Sequence, residues 1–344
     1  MFSRLRLSAL AALLASGAIF PLQAATNACG HLAEQQLRHI ATRYPGRMPG
    51  SPAEMLNADY LQQQFQALGY DSNKRNFTLH YQYKSQNGHL TDHNATATTV
   101  IAARAGEVPQ QIIILTHADT YLPQSDSDRQ QNLGGLTLQG VDDNASGLGV
   151  MLELAQRLSK VPLHYSLRFV ALSGEELNQR GEEDYLARMK PEEKKNTLLV
   201  IKLDSLVVGD KLYFNSGVNT PEPVARQTRD RALAIARSAR IAVSTRGKAV
   251  KTEPAADLFD KAGFPLLSVR ATNWDLGKQD GNQQRAISHH FPQGTSQHQA
   301  AIDNLTYLDR WLPGRITQRM HNSVRILLPL ITELINPKTP SKES

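Results

Sequence analysis

Short apolar runs recur along this chain at 98–103, 111–115, 166–172, 198–203, 211–214 and 265–269. They are rich in Val, Ile, Leu and Phe and show little polar alternation, which predicts strands buried on both faces. Between them lie stretches with a helical period. In 53–68, Leu61, Phe65 and Leu68 share a face; in 145–158, Leu148, Met151, Leu152 and Ala155 do so. A third helix is predicted over 315–335, with a kink at Pro329 and a stop at Pro337. Segment 76–84 predicts an outlying strand or hairpin. Strands alternating with helices define an α/β chain, here a single domain with a mixed, mostly parallel central sheet and helices on both faces. No Pro/Gly/Ser linker, low-complexity tract or internal repeat interrupts residues 30–336.

Composition sharpens that picture. The 344 residues are 40% hydrophobic and 20% charged, which is enough apolar material for a folded core. Residues 1–24 read as an export signal, with Arg4 and Arg6 ahead of the apolar run 7–20, a break at Pro21 and cleavage after Ala24. That leaves 25–344 as the working domain. The run is too short to cross ~30 Å of hydrocarbon, and no 18-residue apolar stretch follows it, so no membrane association is expected once the signal is removed. Cys29 is the single cysteine, which excludes a disulfide framework and a Cys-based zinc site. An exported chain without disulfides fits a bacterial periplasm. The formal charge of +6 is spread without any block of five like charges, so nucleic acid is not an expected partner.

Chemistry concentrates where the strands should end, which is where open α/β sheets bind ligands. Run 111–115 leads into His117-Ala118-Asp119, 166–172 into Ser173-Gly174-Glu175-Glu176, and 198–203 into Asp204. Val141-Asp142-Asp143-Asn144-Ala145-Ser146-Gly147 precedes a helix. One Asp serves as a helix cap, but two adjacent ones repel each other unless a cation sits there. The same holds for the Glu175-Glu176 pair. One histidine and at least three carboxylates suit a divalent cation with nitrogen and oxygen ligands, zinc foremost. His298 is the best further histidine, with His289 and His290 as competitors. His-Glu-x-x-His, Walker, Gly-x-Ser-x-Gly and Gly-x-Gly-x-x-Gly motifs are all missing, which removes four other enzyme classes from consideration.

In order and spacing, His117-x-Asp119, Asp143-Asn144-Ala145-Ser146-Gly147, Gly174-Glu175-Glu176, Leu203-Asp204 and a late histidine resemble the di-zinc aminopeptidases of peptidase family M28, over about residues 112–303. The resemblance implies the zinc-dependent exopeptidase fold, two zinc ions per chain, and hydrolysis at peptide or protein N-termini. It gives His117 and Asp204 to one zinc, Glu176 and His298 to the other, and Asp143 to both. Glu175 becomes the general acid/base and Asp119 the partner behind His117. A cis peptide at Asp143–Asn144 is implied as well.

Three positions depart from the family pattern. Asp303 stands five residues after His298 rather than four, Ala255 replaces an Asp, and Gln297 replaces a Tyr. For a substrate with a basic first residue, the candidate acids within the variable segments are Asp126, Asp128, Glu253, Asp257, Asp275 and Asp280. The alternatives to an aminopeptidase are another zinc amidase or exopeptidase on this fold, or a non-catalytic binding module. With every ligand and base position filled, an enzyme is the expectation.

Overall fold

The computed structural model describes residues 28–246, 257–274 and 289–337. The segment 1–24 that reads as an export signal, Glu253, Ala255, Asp275 and Asp280 lie outside the described residues. Eight strands form one sheet: β1 (Asp71–Lys84), β2 (Leu90–Arg104), β3 (Val108–His117), β4 (Tyr165–Leu172), β5 (Thr197–Asp204), β6 (Lys211–Ser216), β7 (Val243–Ser244) and β8 (Leu266–Thr272). Their spatial order is β1-β2-β4-β3-β5-β8-β6-β7. The centre, β4-β3-β5-β8, is parallel, while β1–β2, β2–β4 and β8–β6 pair antiparallel. The mixed, mostly parallel sheet read from the sequence is therefore present.

Alternation along the central strands sets the layers, because successive strand side chains face opposite sides. Ile112 and Ile114 of β3 enter one hydrophobic cluster with Phe169, Ile201 and Leu203, while Ile113 and Leu115 enter another with Val170, Leu172 and Val200. The principal helices are α1 (His31–Arg43), α2 (Pro52–Ala67), α3 (Ser146–Leu158), α4 (Arg180–Arg188), α5 (Arg231–Ser238) and α6 (Arg315–Ile335). Helices α1, α2, α3 and α6 cover the first face, and α4, through Tyr185, covers the second. The helix expected over 53–68 forms as α2, and that over 145–158 begins at Ser146. Helix α6 runs through Pro329 to Ile335, held by a continuous buried face that includes Val324, Leu327, Leu330 and Ile331. Segment 76–84 is the outer part of β1, which forms a long hairpin with β2.

Two buried charges stitch the elements together. Glu153 of α3 accepts from the main-chain N–H groups of Gly30 and Ala33, supplying the first turn of α1 with a capping carboxylate from far along the chain. Arg47, fully buried between α1 and α2, donates to the carbonyls of Tyr44, Ala118, Gln139 and Gly140 at 2.8–3.2 Å. Burial draws its guanidinium down to about 10, which still leaves it charged at neutral pH. Arg47 thus ties the segment just beyond β3 to the turn ahead of α3, the two pieces that carry His117 and Asp143. Gly140 begins that turn at φ +56, and a Cβ there would lie 2.5 Å from the Asp143 carbonyl oxygen, so glycine is required.

The Arg47 clasp yields a stability prediction. Arg47→Met fills the space but leaves buried carbonyls unpaired, at ~1–3 kcal/mol for each that water cannot reach. A total loss of roughly 3–5 kcal/mol is expected from urea denaturation. A loss below about 1 kcal/mol would show that these carbonyls find other partners.

Candidate active site

Because β4, β3 and β5 are parallel neighbours, their carboxyl ends lie at one edge of the sheet. His117 ends β3, Asp204 ends β5, and Ser173-Gly174-Glu175-Glu176 follows β4. The fourth contributor is the turn at Val141–Ala145, whose backbone departs from helical geometry at Asp143 and Asn144. The Asp143–Asn144 peptide bond is cis, in agreement with the sequence expectation.

Asn144 fixes this turn. Its side-chain oxygen accepts from Gly147 N at 3.0 Å and from Ser205 N at 3.1 Å, and its amide donates to Thr116 Oγ1 and the Leu203 carbonyl. The capping role that either adjacent Asp offered falls to Asn144 instead. Asp142 turns inward, accepting from Val207 N, Val208 N and Ser296 Oγ. Burial pushes its carboxyl up to about 6. Asp303 accepts from the N–H groups of Asp142 and Asp143 at 2.7 and 3.1 Å. Its shift by one residue from the family pattern therefore leaves it engaged with the turn.

Asp143 is left facing the cluster. Its Oδ1 lies 3.1 Å from His117 Nε2, which is also 3.8 Å from Glu176 and 3.9 Å from Asp204. Donor atoms of His117, Asp143 and Glu176 fall within 4.8 Å of one another. Behind the ring, His117 Nδ1 donates to the main-chain carbonyl of Asp119 at 3.1 Å, with the Asp119 carboxylate at 3.5 Å. That carboxylate also accepts from Glu176 N at 3.2 Å. His298 reaches the other side, with Nε2 at 2.6 Å from Glu176 and 3.9 Å from Asp143. His298 sits at φ +63, its carbonyl accepts from Gly134 N, and its ring stacks on Tyr121 at 4.2 Å. His290 instead stacks on Trp311, with His289 against it. The geometry brings in His298 and leaves its two competitors aside.

The charges respond to one another. Burial alone would lower His117, but Asp119, Asp143 and Asp204 hold it well above the usual histidine range. Burial would likewise lower His298, yet Glu176 and Asp143 bring it up to about 9. Against burial, Arg270 and His117 hold Asp204 far below the ordinary carboxylate range. Glu176 is raised by burial and by Asp143.

Glu175 leads away from Glu176. Its Oε1 accepts from Lys202 Nζ at 2.8 Å, while Oε2 is buried without a hydrogen bond among the described residues. The same ammonium meets Glu182 of α4 at 2.5 Å and Asp257 at 3.2 Å. Lys202 and Arg270 were not expected from the sequence. Each is a single cation inside an otherwise apolar strand run, and that interruption was the available signal. Of the acids offered for a basic side chain, Asp126 is taken by Tyr83 and Gln86 N, and Asp128 by Tyr121 and Gln124 N. Asp257 is held by Lys202 and caps the turn at Phe259. Gln297 donates to Ser205 Oγ, which in turn donates to Asp204 at 2.7 Å and lies 3.2 Å from Asp143.

A buried cluster of His and carboxylate donors at the carboxyl ends of parallel strands is a site suited to a divalent metal ion, and comparison with known proteins makes the chain a metallo-aminopeptidase. The chain belongs to peptidase family M28, whose sequence model matches residues 99–324. It is 55% identical over 341 residues to the alkaline phosphatase isozyme conversion protein of Escherichia coli, covering 97% of this chain and 99% of that one. A shorter match, 36% over 81 residues, joins 22% of this chain to 18% of aminopeptidase YwaD of Bacillus subtilis. Among solved structures, a zinc aminopeptidase from Bacillus subtilis superposes with TM-score 0.68 at 13% identity, over 90% of this chain and 96% of that one. A glutaminyl cyclase from Porphyromonas gingivalis superposes at 0.60 with 16% identity, over 90% and 99% of the chains. At such identities these two show the fold alone.

The Lys202 cluster makes a pH-dependent prediction. Burial and then Glu175 hold Glu182 well above the ordinary carboxylate range, even with Lys202 beside it. A group with a raised folded-state pKa loses stability as pH rises through that value. Lys202→Met removes the compensating cation, so a loss of roughly 3–5 kcal/mol is expected at pH 8. The deficit should shrink at pH 5, where Glu182 takes up a proton. Urea midpoints at the two pH values measure it, and equal deficits would contradict the assignment.

Proposed function

We propose that this chain is an exported aminopeptidase that holds two zinc ions and removes N-terminal residues, preferentially arginine, from exported proteins. The observation that carries this reading is the convergence of His117, Asp143 and Glu176, flanked by Asp204 and His298. The donor set fits zinc. Ligands at ~2.0–2.1 Å in a tetrahedron lie roughly 3.4 Å apart, and the 3.1 and 3.9 Å separations of His117 Nε2 from Asp143 and Asp204 bracket that value. In this reading His117 and Asp204 hold one ion, Glu176 and His298 the other, and Asp143 both. When bound, zinc supplies Lewis acidity at the carbonyl and makes water a nucleophile near neutral pH.

The side chains divide the remaining work. Glu175 has one oxygen anchored on Lys202 and the other buried without a hydrogen-bond partner among the described residues, so Oε2 is the atom that would take a proton from the attacking water and deliver it to the leaving amine. Asp119 holds the orientation of His117 from behind. The acidic surround receives the substrate's α-ammonium. Support for alkaline phosphatase as a substrate comes from the name of the Escherichia coli relative and its near-complete coverage. The leader at 1–24 supports export to the periplasm.

Elemental analysis of purified protein should find close to two zinc ions per chain, and a chelator should abolish activity. Glu175→Gln should keep the metal while lowering turnover ~10²–10⁴-fold, because it removes proton transfer and not ligation. Glu176→Gln should lose metal together with rate. Equal metal content in the two variants would refute this division of labour.

Substrate choice has its own test. On a panel of aminoacyl chromogenic amides arginine should lead, with lysine behind it because an ammonium lacks the bidentate fork. N-acetylation should abolish cleavage. Strong cleavage of acetylated peptides would overturn the aminopeptidase reading, whereas equal rates on Leu, Met and Arg would remove only the arginine preference.

A further inference from the structure

The β1–β2 hairpin extends well past the sheet. Between its outer half and the loop after β4 lies a cleft of about 630 Å³, within the size range of clefts that take ligands. Tyr81 and His93, paired across the hairpin and stacked at 5.4 Å, form one wall. Asn178 and Arg180 form the opposite wall, with Gln124 between them.

The side of the cleft that faces the hairpin continues the metal-site segments. Leu177, which lines the cleft, directly follows Glu176. Gln124 stands three residues beyond Tyr121, the ring that stacks on His298. Leu177 packs with Phe77, Leu79 and Ala97, and Tyr81 and Leu122 border that small core, so the base of the cleft is fixed. Gln124 is also tied to the hairpin, its carbonyl accepting from Lys84 N at 2.8 Å.

We propose that this cleft binds the stretch of polypeptide that follows the residue being removed, so that the enzyme grips several residues of its substrate beyond the scissile bond. The inference rests on the aminopeptidase reading. A peptide is the occupant because the lining offers carboxamides at Gln82, Gln124 and Asn178 together with imidazole and phenol groups. These donate and accept hydrogen bonds, and a main chain presents one donor and one acceptor at nearly every residue. Of the charged members, Arg180 pairs with Glu183, and Asp92 accepts a hydrogen bond from the Gln82 carboxamide. The stacked rings of Tyr81 and His93 supply apolar surface for side chains of varied shape.

The test compares two substrates of the zinc-loaded enzyme, an arginyl chromogenic amide and a hexapeptide beginning with arginine. The double variant Tyr81→Ala with His93→Ala should lose about tenfold more kcat/KM on the hexapeptide than on the amide, the extra loss falling in KM. His89→Ala, at the exposed hairpin turn outside the cleft, should match the unmodified enzyme on both. Tyr81→Phe alone, which keeps the stacked ring, should retain most of the hexapeptide rate. Equal losses on the two substrates, or no loss on the hexapeptide, would overturn the proposal. Should the unmodified enzyme release no first residue from either substrate, the aminopeptidase reading itself fails and this inference with it.

Discussion

Concentrated negative charge at the carboxyl edge of the sheet is the constraint around which this molecule is arranged. Asp119, Asp142, Asp143, Glu176 and Asp303 are all buried, or nearly so, around a single buried histidine, with Asp204 beside them. An ion taken from water costs several kcal/mol unless it is paired or hydrogen-bonded. The structure meets that cost in three ways. Asp142 and Asp303 are satisfied largely by main-chain N–H groups. Asp204 answers to Arg270 and His117. Asp143 and Glu176 converge on His117 and His298, an arrangement that a divalent cation completes.

Adjacent acids are sorted by the backbone between them. Asp142 and Asp143 part at a turn whose geometry is set by Asn144, so one carboxylate faces the protein and the other the cluster. Glu175 and Glu176 part on the loop after β4, one toward Lys202 and the other toward His298. In each pair the neighbours would repel if they faced the same way. Separation lets one member bind and the other serve a different purpose. Arg47 belongs to the same system, because it clasps the segments that carry His117 and Asp143 and adds a positive charge beneath the acids.

The central strands were legible in the sequence because their apolar runs are short and nearly continuous. The acids at their ends stood out against those runs, and parallel pairing then places strand ends together. Other features could not be read locally. The outer part of β1 was legible as an outlying strand or hairpin over 76–84, but the outer part of β2 is polar and exposed, so its pattern marks no strand, and its place comes from pairing with β1. Strand β7 is two residues long and carries no period. Arg47 donates to carbonyls as distant in sequence as Gln139 and Gly140, and Lys202 gathers acids from 175 to 257. Such partnerships follow from topology, and a local pattern shows only an unexplained charge. The choice of His298 over His290 is of this kind too, since both are plain histidines until Trp311 takes one and Glu176 the other.

The fold alone does not choose the chemistry, since a zinc aminopeptidase and a glutaminyl cyclase both superpose on this chain. The distinction has to come from the charges that surround the ligands. Lys202 is driven down by burial, but Glu175, Glu182 and Asp257 together raise it well above its ordinary value, so it stays cationic. One lysine against three acids leaves the cluster negative as a whole while anchoring a single oxygen of Glu175. That anchoring turns Glu175 away from the cluster that its neighbour Glu176 joins. The acids left over around Lys202 attract a positive charge, as a free N-terminus carries.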